Sequence, residues 1–124
     1  MIAGDTSSLI SYFGGEKGKD VSLIDNALED GLLVLPPPVL SELLSDPAIP
    51  GALEKRLKSF PILAEMEGFW ERAGILRRSL LKKGKKARLA DSLICQFCLD
   101  HNVPLITRDE DFFNFREVSN LILL

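Results

Sequence analysis

The chain has 124 residues, 46% of them hydrophobic and 27% charged, with a formal net charge of −3. Those values fit one globular domain over residues 1–124 and exclude a disordered or low-complexity polymer. A chain this long can bury a real core without disulfides or a structural metal, and its negative average charge argues against a partner as acidic as nucleic acid.

In chain order, Met1 to Gly4 is a short apolar strand ending at Asp5. Ser8 to Phe13 reads as a helix that Asp5 or Thr6 could cap. Gly14 to Asp20 reads as a loop, and Val21 to Glu29 as a helix closed by Gly31. Leu32 to Leu35 is a buried-type strand, which Pro36, Pro37 and Pro38 should close. Helical patterns resume at Val39 to Leu44 and at Ala52 to Lys58, with a turn-rich break between them. Phe60 to Leu63 is a candidate strand. Gly68 to Lys83 is the longest helical pattern, with Phe69, Ala73, Leu76 and Leu80 on one face. Leu89 to Leu99 is a further helix, Leu105 to Thr107 a strand, and Leu121 to Leu124 a final strand. Helices alternating with short apolar strands predict an α/β fold: a central, mainly parallel sheet covered on both faces. In such sheets ligands bind beyond the carboxyl ends of the strands.

No apolar stretch approaches the roughly 20 residues that a membrane-spanning helix needs. No basic region precedes a long apolar run at the N-terminus, so no signal peptide is expected. Cys95 and Cys98 form a C-x-x-C pair, but inside a helical pattern beside Leu93, Ile94 and Phe97. His101 is the only histidine, so core packing is favoured over redox or zinc chemistry. A reduced, cytoplasmic protein is expected.

Five acids do not read as ordinary surface charges. Asp5 and Asp109 each stand just past an apolar strand, Asp91 stands at a helix start, and Glu42 lies among apolar neighbours. Asp111 follows Asp109 by two residues. Asp5 and Asp91 could be helix caps, and Asp109 a turn residue. Glu42 needs a partner in so apolar a context. Gathered together, such carboxylates would repel one another and raise one another's pKa. A hard divalent cation with oxygen ligands, Mg²⁺ or Mn²⁺, resolves that conflict and assists phosphoryl chemistry.

Asp5-Thr6-Ser7, Glu42 in Leu40-Ser41-Glu42-Leu43-Leu44, Ala90-Asp91-Ser92-Leu93-Ile94 and Thr107-Arg108-Asp109-Glu110-Asp111-Phe112 resemble the ordered motifs of PIN-domain ribonucleases. In size and motif form the nearest subgroup is the VapC-like toxins of toxin–antitoxin pairs. The resemblance implies a three-layer α/β/α fold, Mg²⁺- or Mn²⁺-dependent endoribonuclease activity, a homodimer and a cognate antitoxin. It implies that Asp5, Glu42, Asp91 and Asp109 are the catalytic, metal-binding quartet. Asp111 matches an additional acid, and Thr6 and Thr107 match supporting hydroxyls.

Eight of the fifteen basic residues fall between Arg72 and Arg88, with no acid among them. Such a one-signed run is expected to create a field rather than to pair internally. Arg77, Arg78, Lys82, Lys83, Lys85, Lys86 and Arg88 are therefore candidate RNA contacts, leading towards Asp91. Phe69 and Trp70 both fit core stripes, and no base-stacking platform is expected. The rival readings are a non-catalytic RNA- or protein-binding module, a stand-alone RNA-processing nuclease, a DNA-directed nuclease of the same fold, and a receiver-like phosphoacceptor domain.

Overall fold

The apolar runs near residues 2, 33 and 105 become three parallel strands, β1 (Ile2–Gly4), β2 (Leu33–Val34) and β3 (Leu105–Ile106), in the order β2-β1-β3. They belong to a computed structural model that describes residues 1–124. In register, Ile2 faces Leu33 and Ala3 faces Val34 on one side; Ala3 faces Leu105 and Gly4 faces Ile106 on the other. Ala3, Leu33, Val34, Leu105 and Ile106 are all buried. Strands buried on both faces carry continuous apolar runs rather than alternation, which is why four-residue stretches sufficed to reveal them.

Seven helices surround the sheet: α1 (Thr6–Phe13), α2 (Lys19–Glu29), α3 (Pro37–Leu44), α4 (Gly51–Leu57), α5 (Phe69–Lys82), α6 (Leu89–His101) and α7 (Phe112–Glu117). The result is the expected three-layer α/β/α arrangement. Gly4 shows how tightly it closes. A Cβ there would lie 3.0 Å from Ile24 Cδ1 and 3.3 Å from Leu9 Cδ1, so α1 and α2 press onto β1 where a side chain has no room. The long pattern of α5 buries Phe69, Ala73, Leu76 and Leu80 as predicted, mainly against α6.

Several expectations change. Pro37 and Pro38 do not close β2; they open α3, with Pro36 at its N-cap position. The first turn of a helix needs no N–H from its residues, and proline's fixed φ suits it. Phe60–Leu63 and Leu121–Leu124 are not full strands. Each makes one parallel bridge at a sheet edge, Leu35 with Ile62 and Leu105 with Leu123. Helix α7 was not foreseen: its six residues, Phe-Phe-Asn-Phe-Arg-Glu, have weak helix propensity, and burial of Phe112 and Phe115 holds it in place. Trp70 is not core. Phe69 is buried beside it, but Trp70 is 59% exposed, its indole N–H donating to Glu65 Oε1 at 2.8 Å.

Cys95 and Cys98 are unpaired and buried in α6. Burial pushes the Cys95 thiol up to about 12 and the Cys98 thiol up as well, so both remain protonated, inert core residues at neutral pH.

Candidate metal centre

The carboxyl ends of β1 and β3 lie side by side, and the chain leaves both of them into acids. Asp5 follows β1 directly; its N–H donates to the Ile106 carbonyl at 2.9 Å, so the sheet ladder continues up to this residue. Asp5 stands at the N-cap position of α1, yet its side chain makes no capping bond. Its Oδ2 instead accepts the Thr107 hydroxyl at 2.8 Å and the Ser7 hydroxyl at 2.9 Å. The Thr107 hydroxyl in turn accepts the Asp109 N–H at 3.0 Å, and Asp109 Oδ1 accepts the Asp111 N–H at 2.9 Å. One chain of hydrogen bonds thus fixes Asp5, Asp109 and Asp111 relative to one another.

Glu42 arrives from α3. The Thr6 hydroxyl donates to its Oε1 at 2.7 Å. Glu42 is exposed, so its apolar sequence neighbours do not bury it, and the bond from Thr6 orients it rather than rescuing a buried charge; Thr6 serves Glu42 rather than the acid beside it. Asp91 is the third residue of α6, whose N-cap position is held by Arg88; the capping alternative for Asp91 does not hold. Asp5, Glu42, Asp91 and Asp109 together line one cleft of about 240 Å³, with Thr6, Ser7, Ile10 and Arg88. Asp111 stands at the edge of this group: carboxylate oxygens of Asp91, Asp109 and Asp111 lie within 4.8 Å of one another. A larger cavity of about 360 Å³ sits at the C-terminal end of α6. Its one carboxylate, Asp100, is already bonded to Arg72 and Gln96.

The electrostatics of the cleft are those of crowded like charge. Burial, then the charges of Asp5 and Asp109, push the Asp91 carboxyl up to about 6, against the pull of Arg88. Asp5 is 4% exposed, and burial raises its pKa despite the hydroxyl bonds from Thr107 and Ser7. Both of those bonds land on Oδ2. Carboxylate oxygens of Asp91, Asp109 and Asp111 lie close enough together to share a hard divalent cation, with Asp5 and Glu42 lining the same partly desolvated cleft, and the residues present fit one.

The basic run divides. Part of it is engaged, with acids outside the run or with a backbone carbonyl. Arg72 forms a two-bond pair with Asp100 at 2.7 and 3.0 Å, Arg77 Nε donates to the Ala87 carbonyl at 2.8 Å, and Lys86 lies 3.1 Å from Asp111. Arg78, Lys82, Lys83, Lys85 and Arg88 are exposed and make no ion pair.

Two contributors carried no individual role in the sequence reading. Ser7 was visible only as part of the first motif, and its bond to Asp5 depends on where the helix starts. Arg108 donates to both Asp20 oxygens, at 2.8 and 3.0 Å, and to Glu16 at 3.1 Å. As the residue preceding Asp109, it ties that segment to the first turn of α2 and to the loop before it, and its bonds to Asp20 hold that carboxyl down at about 2. No local signal reveals a pair separated by 88 residues.

A family model described as PIN domain matches residues 2–118. The chain belongs to the PIN-domain family. Solved structures of similar fold include FitAcB from Neisseria gonorrhoeae (TM-score 0.73, 20% identity, covering 100% of this chain and 96% of that one). VapBC-1 from nontypeable Haemophilus influenzae is similar at TM-score 0.73 and 21% identity, covering 100% and 97%. VapBC-5 from Mycobacterium tuberculosis, a member of the VapBC family of toxin-antitoxin systems, is similar at 0.65 and 17%, covering 99% and 96%. At these identities the likeness is one of fold, and it spans essentially the whole PIN domain. No curated protein sequence matches the chain. No helix is long and apolar enough to cross a membrane.

Proposed function

We propose that this PIN domain is a divalent-metal-dependent endoribonuclease, Mg²⁺ or Mn²⁺ being the cation, and that it is the toxin of a toxin–antitoxin pair. The observation that carries the proposal is the convergence of Asp5, Glu42, Asp91 and Asp109 on one cleft at the carboxyl ends of parallel strands. These four acids would hold the cation. When bound, it supplies charge neutralisation at a phosphoryl oxygen and a nucleophile from water at neutral pH. Thr107 and Ser7 orient Asp5, and Thr6 orients Glu42. Arg78, Lys82, Lys83, Lys85 and Arg88 attract the phosphate backbone without reading sequence. Arg88 stands closest to the chemistry, lining the cleft itself.

The test is cleavage of matched RNA and DNA oligonucleotides with Mg²⁺, Mn²⁺ or EDTA. Internal cleavage of RNA alone, leaving 5′-phosphate and 3′-hydroxyl ends and abolished by EDTA, is expected. Metal-independent cleavage overturns the mechanism, and equal cleavage of DNA overturns the substrate assignment.

The partners belong to the same proposal. An apolar groove of about 360 Å³, lined by Ile10, Phe13, Leu43, Ile49, Leu53 and Leu57, shares Ile10 and Glu42 with the acidic cleft. It suits an antitoxin segment whose apolar face fills the groove and whose Arg or Lys reaches the carboxylates. A second groove, lined by Pro37, Pro38, Trp70 and Leu93 among others, is the candidate face of a homodimer. We expect a small reading frame beside the gene, with a product that inhibits cleavage and co-purifies with a dimer of the 13.7 kDa chain. A lone gene whose product is monomeric by light scattering favours the stand-alone processing nuclease.

A further inference from the structure

Strand β3 ends at Ile106 and helix α7 begins at Phe112, so Thr107 to Asp111 belong to no strand or helix. Functional side chains on such a segment take their positions from the bonds that support them. Thr107 bonds Asp5, and the Asp109 and Asp111 N–H groups donate to Thr107 Oγ1 and Asp109 Oδ1. Those bonds order the segment within itself and against the end of β1.

Arg108, between Thr107 and Asp109, reaches elsewhere. Its Nε and Nη2 donate to the two oxygens of Asp20 at 2.8 and 3.0 Å, and its Nη1 to Glu16 at 3.1 Å. Surface ion pairs contribute little unless the geometry is bidentate or several charges form a network. This clasp meets both conditions, and the Asp20 side chain is only 12% exposed. The backbone is shaped to it as well. Gly18 stands at the N-cap position of α2, where a Cβ would lie 2.7 Å from Asp20 Oδ1 and 3.1 Å from Arg108 Nη2. Any side chain at Gly18 would push the clasp apart. Arg108 lines no part of the acidic cleft, so whatever it contributes passes through its neighbours.

We propose that Arg108 is a positioning residue. Clasped by Asp20 and Glu16 over Gly18, it anchors the Thr107–Asp111 segment to α2, so that Thr107 meets Asp5 and Asp109 lines the cleft. The effect on cleavage rests on the nuclease reading above; the anchoring does not.

The first measurement is amide hydrogen exchange by NMR on the full chain without metal or RNA. The Asp109 and Asp111 amides are the reporters, and the Leu105 amide, bonded to the Ile122 carbonyl in the sheet, is the control. Arg108→Gln should speed exchange at both reporters by about tenfold, the scale of one hydrogen bond to a charged group, and leave Leu105 unchanged. Gly18→Ala, which alters neither Arg108 nor the reporters, should move them in the same direction. Arg108→Lys should restore protection only in part, because a point charge cannot span both Asp20 oxygens. The second measurement is RNA cleavage by the same variants. In Arg108→Gln kcat should fall by about tenfold with KM unchanged, as for a group that does not touch substrate. Unchanged reporters in Arg108→Gln and Gly18→Ala overturn the proposal. So does equal acceleration at Leu105, which marks general loosening, or a rise in KM alone, which makes Arg108 a substrate contact. Loosened reporters in a protein whose wild type cleaves no RNA uphold the anchoring and overturn the nuclease reading instead.

Discussion

Asp5→Asn should reduce RNA cleavage by about 10³-fold or more while leaving the protein folded. The magnitude follows from chemistry in which a bound cation supplies several kcal/mol of transition-state stabilisation and each 1.36 kcal/mol is a factor of ten in rate. Asp5 is the most buried of the acids and the one built most firmly into the sheet. The fold should survive because asparagine keeps the shape and one carbonyl oxygen. That oxygen can still accept the Thr107 and Ser7 hydroxyls, so the chain of bonds from Asp5 through Thr107 to Asp109 is retained. Removing a charge that burial disfavours should leave the metal-free melting temperature equal or higher. Asp5→Ala is the poorer probe, since it strands the Thr107 hydroxyl. Matched cleavage rates and melting curves for wild type and Asp5→Asn decide the matter: full activity in the variant sinks the catalytic assignment.

Mg²⁺ or Mn²⁺ should raise the melting temperature of the wild type, and EDTA should reverse the rise. A ligand of the native state at 100 times its dissociation constant stabilises by about 2.7 kcal/mol, on the order of 10 °C for a domain of this size. Asp91→Asn should lose most of that response. It should also change the metal-free protein in a way that fixes the sign of the electrostatics. The folded pKa of Asp91, about 6, lies above its ordinary value of 3.8. The native state therefore holds this proton more tightly than the unfolded chain. Below about pH 4 the group carries no penalty. As pH rises through 6 the carboxylate ionises among Asp5, Asp109 and Glu42, and native stability falls. Asp91→Asn should flatten that decline and melt higher than the wild type at pH 7 without metal. A wild type indifferent to both cations would favour the binding-module reading.

The parts legible in the sequence were those governed by local pattern. The strands were visible because both-sided burial demands unbroken apolar residues. The four acidic positions were visible as a group because each stands at the end or start of an apolar element, or within an apolar stretch as at Glu42, although a cap or a turn would account for Asp5, Asp91 or Asp109 singly. The resemblance to PIN-domain motifs rested on those same residues, and the family match over residues 2–118 agrees with it. Less legible were features set by partners distant in the chain. Helix α7 exists because Phe112 and Phe115 are buried, not because its residues favour helix. Trp70 follows a buried neighbour on the same helix, yet its ring faces solvent, and a one-residue change of helical angle is within the error of any pattern.

The net charge of −3 shows the same division. The sequence by itself separated that average into acids at the ends of apolar elements and bases between Arg72 and Arg88, because each group is recognisable from its neighbours. Only the tertiary structure decided which charges meet. It brought four acids to one cleft and left Asp111 at its edge. It spent Arg72 on Asp100 and Arg77 on a carbonyl, and set Lys86 against Asp111. The reason is physical: pairing energies depend on separations of a few ångströms. Across 25 residues for Lys86 and Asp111, or 102 for Asp5 and Thr107, those separations are fixed by packing rather than by order along the chain.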